Sequence, residues 1–229
     1  MRLVATVLAA LMTTACAGSS AAPSDTGVVV PPPAVDLPAG SRTSDVAILA
    51  GGCFWGVQAV YQHVTGVTSA VSGYAGGNET DAEYGAVSSG RTRHAESVRI
   101  VFDPRVVSYG RLLQIFFSVG HDPTELNRQG PDEGPQYRSA IFPAGDEQAR
   151  VARAYIQQLN DGRVFPANVV TVVEPGREFF RAEDHHQDFL ERNRSNSYIV
   201  VNDLPKLAAL KRLFASEYRA KPVLVVGNR

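Results

Sequence analysis

Residues 45–64 read Asp45-Val46-Ala47-Ile48-Leu49-Ala50-Gly51-Gly52-Cys53-Phe54-Trp55-Gly56-Val57-Gln58-Ala59-Val60-Tyr61-Gln62-His63-Val64. Two periodicities meet in this stretch. Residues 45–50 are an apolar run of strand length, whereas Val57, Val60, Tyr61 and Val64 recur at i, i+3, i+4 and i+7, the spacing of one helix face. Cys53 therefore stands where a buried strand turns into a helix. Gly51 and Gly52 permit a sharp turn there. The free N–H groups and positive dipole end of a helix start favour an anion, so a thiolate is the expected state of Cys53. A lone cysteine at a strand end is otherwise small core filler. Phe54 and Trp55, the latter the chain's one tryptophan, tilt the reading toward a reactive thiol.

Working outward, residues 67–74 alternate loosely and end at Gly76-Gly77, which predicts a second strand. A polar loop is expected over 78–94. Residues 96–102 form the clearest strand: Val98, Ile100 and Phe102 share one face by period 2, Glu96 begins that face, and Asp103-Pro104 stops it. Ser108 can cap a helix carrying Leu112, Ile115, Phe116 and Val119, which Gly120 ends. A long loop over 121–136 precedes a strand at 137–142. Asp146 can open a helix with Ala152, Tyr155, Ile156 and Leu159 in register. A strand is predicted at 169–173, and helices at 179–192 and 204–219.

The order strand, helix, strand, strand, helix, strand is that of a split βαβ unit, so the expected fold is α+β. It is a ferredoxin-like two-layer sandwich with a mostly antiparallel sheet, long loops and C-terminal extensions. In that topology the first strand lies between the third and fourth and runs antiparallel to both. Cys53, Glu96 and Tyr137 then converge on one rim, where the loops 78–94 and 121–136 also arrive.

The chain has 229 residues, average apolar content and a formal charge of -1, which argues for one globular domain and against nucleic acid as a partner. Residues 1–16 combine Arg2, an apolar run over 3–12 and Thr13-Thr14-Ala15-Cys16, and read as a signal peptide too short to span a membrane. The Thr-Thr-Ala before Cys16 resembles the lipobox of a bacterial lipoprotein, although Thr13 stands where Leu is usual. Ala15-Cys16-Ala17 also satisfies ordinary signal peptidase. Lipidation of Cys16 is the expected outcome, with the chain exported to the periplasmic side and anchored to the cell envelope. Residues 17–43, rich in Ala, Ser, Gly and Pro, read as a disordered tether. A catalytic domain is expected over 44–219 and a tail over 220–229. With Cys16 acylated, Cys53 has no disulfide partner in its own chain.

A thiol on this rim needs a proton donor if it is to attack a group whose oxygen must leave. Glu96, partly desolvated at the start of an apolar strand face, suits an acid, although strand-start carboxyls commonly point into water. Tyr84 and Tyr137 offer hydroxyl donors or are packing residues with wet tips. Asp132 is a candidate or a plain turn former. Phe54 and Trp55 line a small apolar pocket or belong to the core.

At this point the chain resembles a known family. Gly51-Gly52-Cys53-Phe54-Trp55-Gly56, Gly73-Tyr74-Ala75-Gly76-Gly77, His94-Ala95-Glu96 and Gln136-Tyr137-Arg138-Ser139-Ala140 at their spacings resemble the A-type peptide methionine sulfoxide reductases over 45–192. The resemblance implies Cys53 as nucleophile, Phe54 and Trp55 as the substrate's methyl pocket, Glu96 as acid, Tyr84 and Tyr137 as oxygen ligands and Asp132 as support. It further implies reduction of the S epimer of methionine sulfoxide in oxidised peptides and proteins, through a sulfenic acid on Cys53. No cofactor or metal is implied.

The chain departs from the family in lacking the resolving cysteines that many members carry near the C-terminus. Recycling then falls to an external thiol, a thioredoxin-like protein or dithiothreitol. The enzyme is expected to be a monomer held at the membrane by its lipid anchor. Two other readings stand beside this one: a Cys/His thiol hydrolase using His94, and a lipid-anchored module that binds oxidised peptides without turnover. His185-His186 lacks a further ligand set at zinc spacing.

Overall fold

A computed structural model describes residues 27–225, and β1 (Asp45–Gly51) lies at its centre. In chain order follow α1 (Phe54–Gln62), β2 (Val67–Ala75), a short α2 (Tyr84–Ser88), β3 (Ala95–Phe102) and α3 (Tyr109–Ile115), which runs on into a wider π-type turn at Phe116–Gly120. Two-residue strands β4 (Arg128–Gln129) and β5 (Asp132–Glu133) make a small hairpin before β6 (Ser139–Ile141) and the long α4 (Asp146–Asp161). The chain then adds β7 (Val172–Val173), β8 (Phe179–Arg181), α5 (Phe189–Arg192) and α6 (Leu204–Leu213).

Six strands form one sheet in the order β7-β6-β1-β3-β2-β8. β1 is antiparallel to both β3 and β6, and only β6 and β7 pair in parallel. Alternation along β1 sends Ala47 and Leu49 into the main core, with Val98, Ile100 and Phe102 of β3 beside them and α1, α3, α4 and α6 covering that face. On the other face Ala50, Ala75, Ala95 and Ala140 cluster around Phe142. Ser108 caps α3 by accepting from the Arg111 N–H at 3.1 Å.

Several elements differ from expectation. The loop 78–94 contains α2 and a 3-10 turn at Glu79–Asp81. No helix spans 179–192: β8 pairs with β2, a 3-10 turn occupies Asp184–His186, and only the four residues of α5 are helical. The last helix ends at Leu213, six residues early.

The tether expected over 17–43 is corrected for its described part. Val30 is fully buried, Val35 and Leu37 pack on the core, and the Tyr155 hydroxyl donates to the Pro31 carbonyl at 2.6 Å. Prolines present acceptors without N–H donors, so this segment is satisfied by side chains of α3 and α4 without a strand partner. The described part of the tail, 220–225, also bonds back to the domain. The Val223 N–H donates to the Gln62 carbonyl at 3.0 Å, and the Val225 N–H to the Asp188 carboxylate at 3.0 Å. The signal peptide over 1–16, Cys16, residues 17–26 and residues 226–229 lie outside the described residues. Among the described residues no helix is long and apolar enough to cross a membrane.

Candidate active site

The junction between β1 and α1 is built as its glycines suggest. Gly52 has φ +86°, and a Cβ there would stand 2.5 Å from the Gln129 side chain. Cys53 follows at the helix N-cap position, only 7% exposed. The orphan N–H of Phe54 at the helix start is taken by Glu96, whose Oε2 accepts from it at 3.0 Å. That bond ties the first strand's end to the third strand's beginning and sets the acid beside the thiol.

Electrostatics correct one expectation. Cys53 is not predisposed to a thiolate: burial pushes its thiol well above the ordinary range, and the carboxyls of Glu96 and Asp203 push the same way. The Trp55 N–H and the Lys206 ammonium oppose that shift without reversing it. Burial also raises Glu96 to about 8 against the pull of the Phe54 N–H, with the charges of Asp132 and Asp203 adding to the rise. At neutral pH Glu96 therefore holds a proton it can donate.

The other candidates gather around this pair. Tyr137 lies in a 3-10 turn (Pro135–Tyr137) just before β6, and Tyr84 opens α2 with its backbone N–H donating to Glu183 at 2.9 Å. Burial raises both phenols, and the charges of Glu96, Asp132 and Cys53 act on each, so both remain hydroxyl donors. Asp132 is not a plain turn former. It pairs with Gln129 in the β4–β5 hairpin and accepts a hydrogen bond from the Tyr198 hydroxyl. Burial raises its carboxyl, while the Tyr198 bond and Lys206 hold it down.

Phe54 is in the core, with its ring 5.9 Å from Tyr74 and 5.3 Å from His186. Trp55 is half-buried, stacked on Phe189 at 3.8 Å and met edge-on by Tyr198 at 5.9 Å. Its indole N–H donates to His186 Nδ1 at 3.3 Å. The two aromatics are thus held in fixed orientations next to the thiol in the chain.

His186 is a residue that sequence reading weighed only as half of a metal pair. Its ring lies 4.5 Å from that of Tyr84, its Nδ1 is engaged by Trp55, and its buried Nε2 has no hydrogen-bond partner. The rings of His185 and His186 do not diverge but sit 4.1 Å apart. Among the described residues no group of three or more His, Cys, Asp or Glu is placed to hold a metal ion. Tyr198, Glu183, Asp203 and Lys206 were also hidden in the sequence, since nothing local marks a residue that reaches the site from more than 60 positions away. Glu183 is the clearest case, bonding both the Tyr74 hydroxyl and the Tyr84 N–H at 2.9 Å.

His94 does not serve as a base for Cys53. Its Nε2 lies 2.9 Å from the Asn78 carbonyl and 3.1 Å from Asp81, and its Nδ1 accepts from the Gly77 N–H at 3.3 Å. The ring fastens the loop 77–81, which removes the geometric ground for a Cys/His hydrolase. Gln58 is buried and bonds Gln187 and Asp188, so it shapes the turn behind the site and does not meet substrate.

This geometry has known counterparts. Residues 45–218 match the family model of peptide methionine sulfoxide reductase. The chain is 58% identical over 184 residues to peptide methionine sulfoxide reductase MsrA 2 of Mesorhizobium japonicum, covering 80% of this chain and 94% of that protein. It is 50% identical over 196 residues to MsrA 2 of Synechocystis, covering 84% and 92%. Among solved structures, Mxr1 of Saccharomyces cerevisiae in reduced form superposes with a TM-score of 0.60 at 31% identity, over 67% of this chain and 88% of that one. Methionine sulfoxide reductase A of Corynebacterium diphtheriae gives a TM-score of 0.57 at 32% identity, over 69% and 78%. The buried thiol at a strand-to-helix turn, the buried carboxyl bonded beside it and the family match over residues 45–218 place this chain in the peptide methionine sulfoxide reductase family.

Proposed function

We propose that the protein reduces the S epimer of methionine sulfoxide in peptides and proteins, with Cys53 as nucleophile and Glu96 as acid. The observation that carries this reading is the Glu96 carboxyl, buried and protonated near neutrality, bonded to the N–H of the residue after the thiol. Cys53 attacks the sulfoxide sulfur while Glu96 gives its proton to the sulfoxide oxygen. Glu96 then recovers the proton that the thiol loses. The oxygen, now a hydroxyl, passes to the Cys53 sulfur as its bond to the substrate sulfur and the transient S–S bond both break, so methionine leaves and Cys53 is a sulfenic acid. Tyr84 and Tyr137 donate to the same oxygen, Phe54 and Trp55 receive the methyl group, and Asp132 steadies the substrate side through Tyr198. A methyl pocket on one side and oxygen donors on the other select one epimer. The order of the four central strands supports reading the domain as a ferredoxin-like split βαβ unit.

Further readings accompany this one. Cys53 is the one cysteine of residues 27–225, so the sulfenic acid is reduced by an external thiol, such as a thioredoxin-like protein. No prosthetic group takes part. The chain is exported and monomeric, and Cys16 carries a lipid. Ten residues lie between Cys16 and Gly27, a reach of at most about 40 Å, so the site works close to the membrane. Incubating the reduced protein with a racemic methionine sulfoxide peptide, without reductant, tests the reaction. Release of one equivalent of reduced peptide from the S epimer alone is expected, and none from Cys53→Ser. Consumption of both epimers, or activity in the serine variant, would overturn the assignment.

A further inference from the structure

The cavity at Cys53 is larger than one side chain needs. Its volume is about 570 Å³, the size of site that holds a whole small ligand, and a single methionine sulfoxide side chain fills only part of it. Cys53 and Tyr198 stand on its wall, and Tyr198 meets the Trp55 ring edge-on and bonds Asp132. The cavity is therefore continuous with the reacting sulfur. What remains of it is open to groups joined to the methionine.

That remaining wall is apolar where it reaches the surface. Val28 of the N-terminal arm and Val201 before α6 line it at 62% and 56% exposure, and Phe165 and Pro166 of the loop after α4 join them. Their neighbours Val29 and Val200 are exposed as well, an accumulation of apolar surface that marks a binding groove. The Val28 N–H donates to the Ser118 carbonyl at 3.2 Å and Val30 is buried, so the arm holds Val28 in place. The charged side chains of the same wall are already engaged. Asp122 accepts from the Thr124 N–H at 2.9 Å, Glu125 pairs with Arg128 at 3.2 Å, and Lys206 pairs with Asp203 at 3.2 Å. A polar group entering here would give up water for partners already committed, whereas an apolar one gains by leaving water.

We propose that this part of the cavity is a subsite for an apolar residue flanking the methionine sulfoxide, so that the protein prefers sulfoxides set in aliphatic or aromatic sequence. The inference rests on the reductase reading and deepens it by naming the class of peptide the site takes. Three separate segments supply the subsite: the arm, the loop after α4 and the residues leading into α6. None of them carries the chemistry, so the preference acts through binding of the peptide and leaves the reacting groups as they are. Because Val28 and Val201 are fixed before substrate arrives, the flanking residue alone bears the cost of being ordered.

The test uses the full chain and two acetylated tripeptide amides, with the S epimer of methionine sulfoxide between two leucines or between two serines. N-acetyl methionine sulfoxide amide, which has no neighbours, is the reference. Product release is followed in a single turnover without reductant, at peptide concentrations below saturation. The unsubstituted protein should reduce the leucine peptide about tenfold faster than the serine peptide, the worth of partly burying an apolar side chain. In the combined variant Val28→Glu, Val201→Glu, which puts charge on two exposed positions, that ratio should fall to about twofold or less. A general loss of activity or of folded protein cancels in the ratio and shows instead in the reference. Equal rates for the two tripeptides in the unsubstituted protein, or an unchanged ratio in the variant, would overturn the inference while leaving the reductase reading intact. Release of no reduced product from any of the three substrates would overturn the reductase reading, and this inference with it.

Discussion

Burial acts on Cys53 and Glu96 in the same sense, keeping a proton on each, and that suits only one of them as a free group. An acid profits from a raised value, whereas a nucleophile loses its thiolate. The two shifts are compatible if the thiol proton passes on as the sulfoxide oxygen takes the one from Glu96. The rate of the reductive step should then follow the protonated carboxyl, flat below neutrality and falling as pH rises through about 8. A single-turnover rate that climbs between pH 7 and 9 would show that thiolate formation is the limiting event. Glu96→Gln should slow the step by about 10²–10⁴ and abolish the falling limb. The same carboxyl links pH to stability. Its value in the fold lies above the ordinary 4.5, so its contribution is fully present below 4.5 and is lost as pH rises through about 8. The midpoint of thermal unfolding should therefore decline less between pH 5 and 9 in Glu96→Gln than in the unsubstituted protein. An equal decline in both would mean that the group titrates alike in the folded and unfolded chains.

At the scale of elements, Gly73 shows how a sheet position supports chemistry it never touches. A Cβ at Gly73 would lie 2.2 Å from the Phe180 carbonyl oxygen and 2.3 Å from the Phe179 ring, and the first of these is backbone in β8. The strand can yield only by giving up its pairing with β2. Gly73→Ala should therefore cost about 1–3 kcal/mol, as overpacking of a close contact does. It should also displace Glu183 and His186, which follow β8 and hold Tyr84 and Trp55. Unfolding by urea with Trp55 fluorescence as the probe would show both effects, and a stability unchanged from Gly to Ala would refute them. This is also where the limit of local reading lies. The strand of Val98, Ile100 and Phe102 was legible because each residue's environment is set by a period of two along its own segment. Residues 179–192 were not, because their structure is fixed by partners some hundred positions earlier. The Gln187 side chain continues the sheet, accepting from the Ser72 N–H and donating to the Ser72 carbonyl at 3.0 Å each. A glutamine amide acting as a ladder rung leaves no periodic trace.

For the whole molecule, the rim that brings Cys53 and Glu96 together was legible because glycines, a lone thiol and an apolar strand are local marks, while the extent of the domain was not. The segment 27–43 is rich in proline and small residues and carries no helix or strand period, and that composition made it a tether. Its order comes from burial of Val30, Val35 and Leu37 and from polar contacts, both with a surface that exists only once the rest is folded. Gln114 Nε2 donates to the Val30 carbonyl at 2.7 Å, Gln158 accepts from the Ala34 N–H at 2.7 Å, and Asp36 joins the cap of α3. That aspartate accepts from the Gly110 N–H at 2.7 Å and from the Ser108 hydroxyl at 2.5 Å, while Ser108 accepts from Arg111. Two donors at the start of α3 thus depend on a residue over 70 positions earlier, so the arm carries part of the fold's stability. Asp36→Ala should cost about 1–2 kcal/mol, the worth of a lost helix cap with a charged acceptor. Removing residues up to 43 should cost more, because the Val30, Gln114, Tyr155 and Gln158 contacts go with it. Thermal unfolding of the two variants beside the unsubstituted protein measures both losses. A truncated domain as stable as the full chain would mean that the arm is a tether after all.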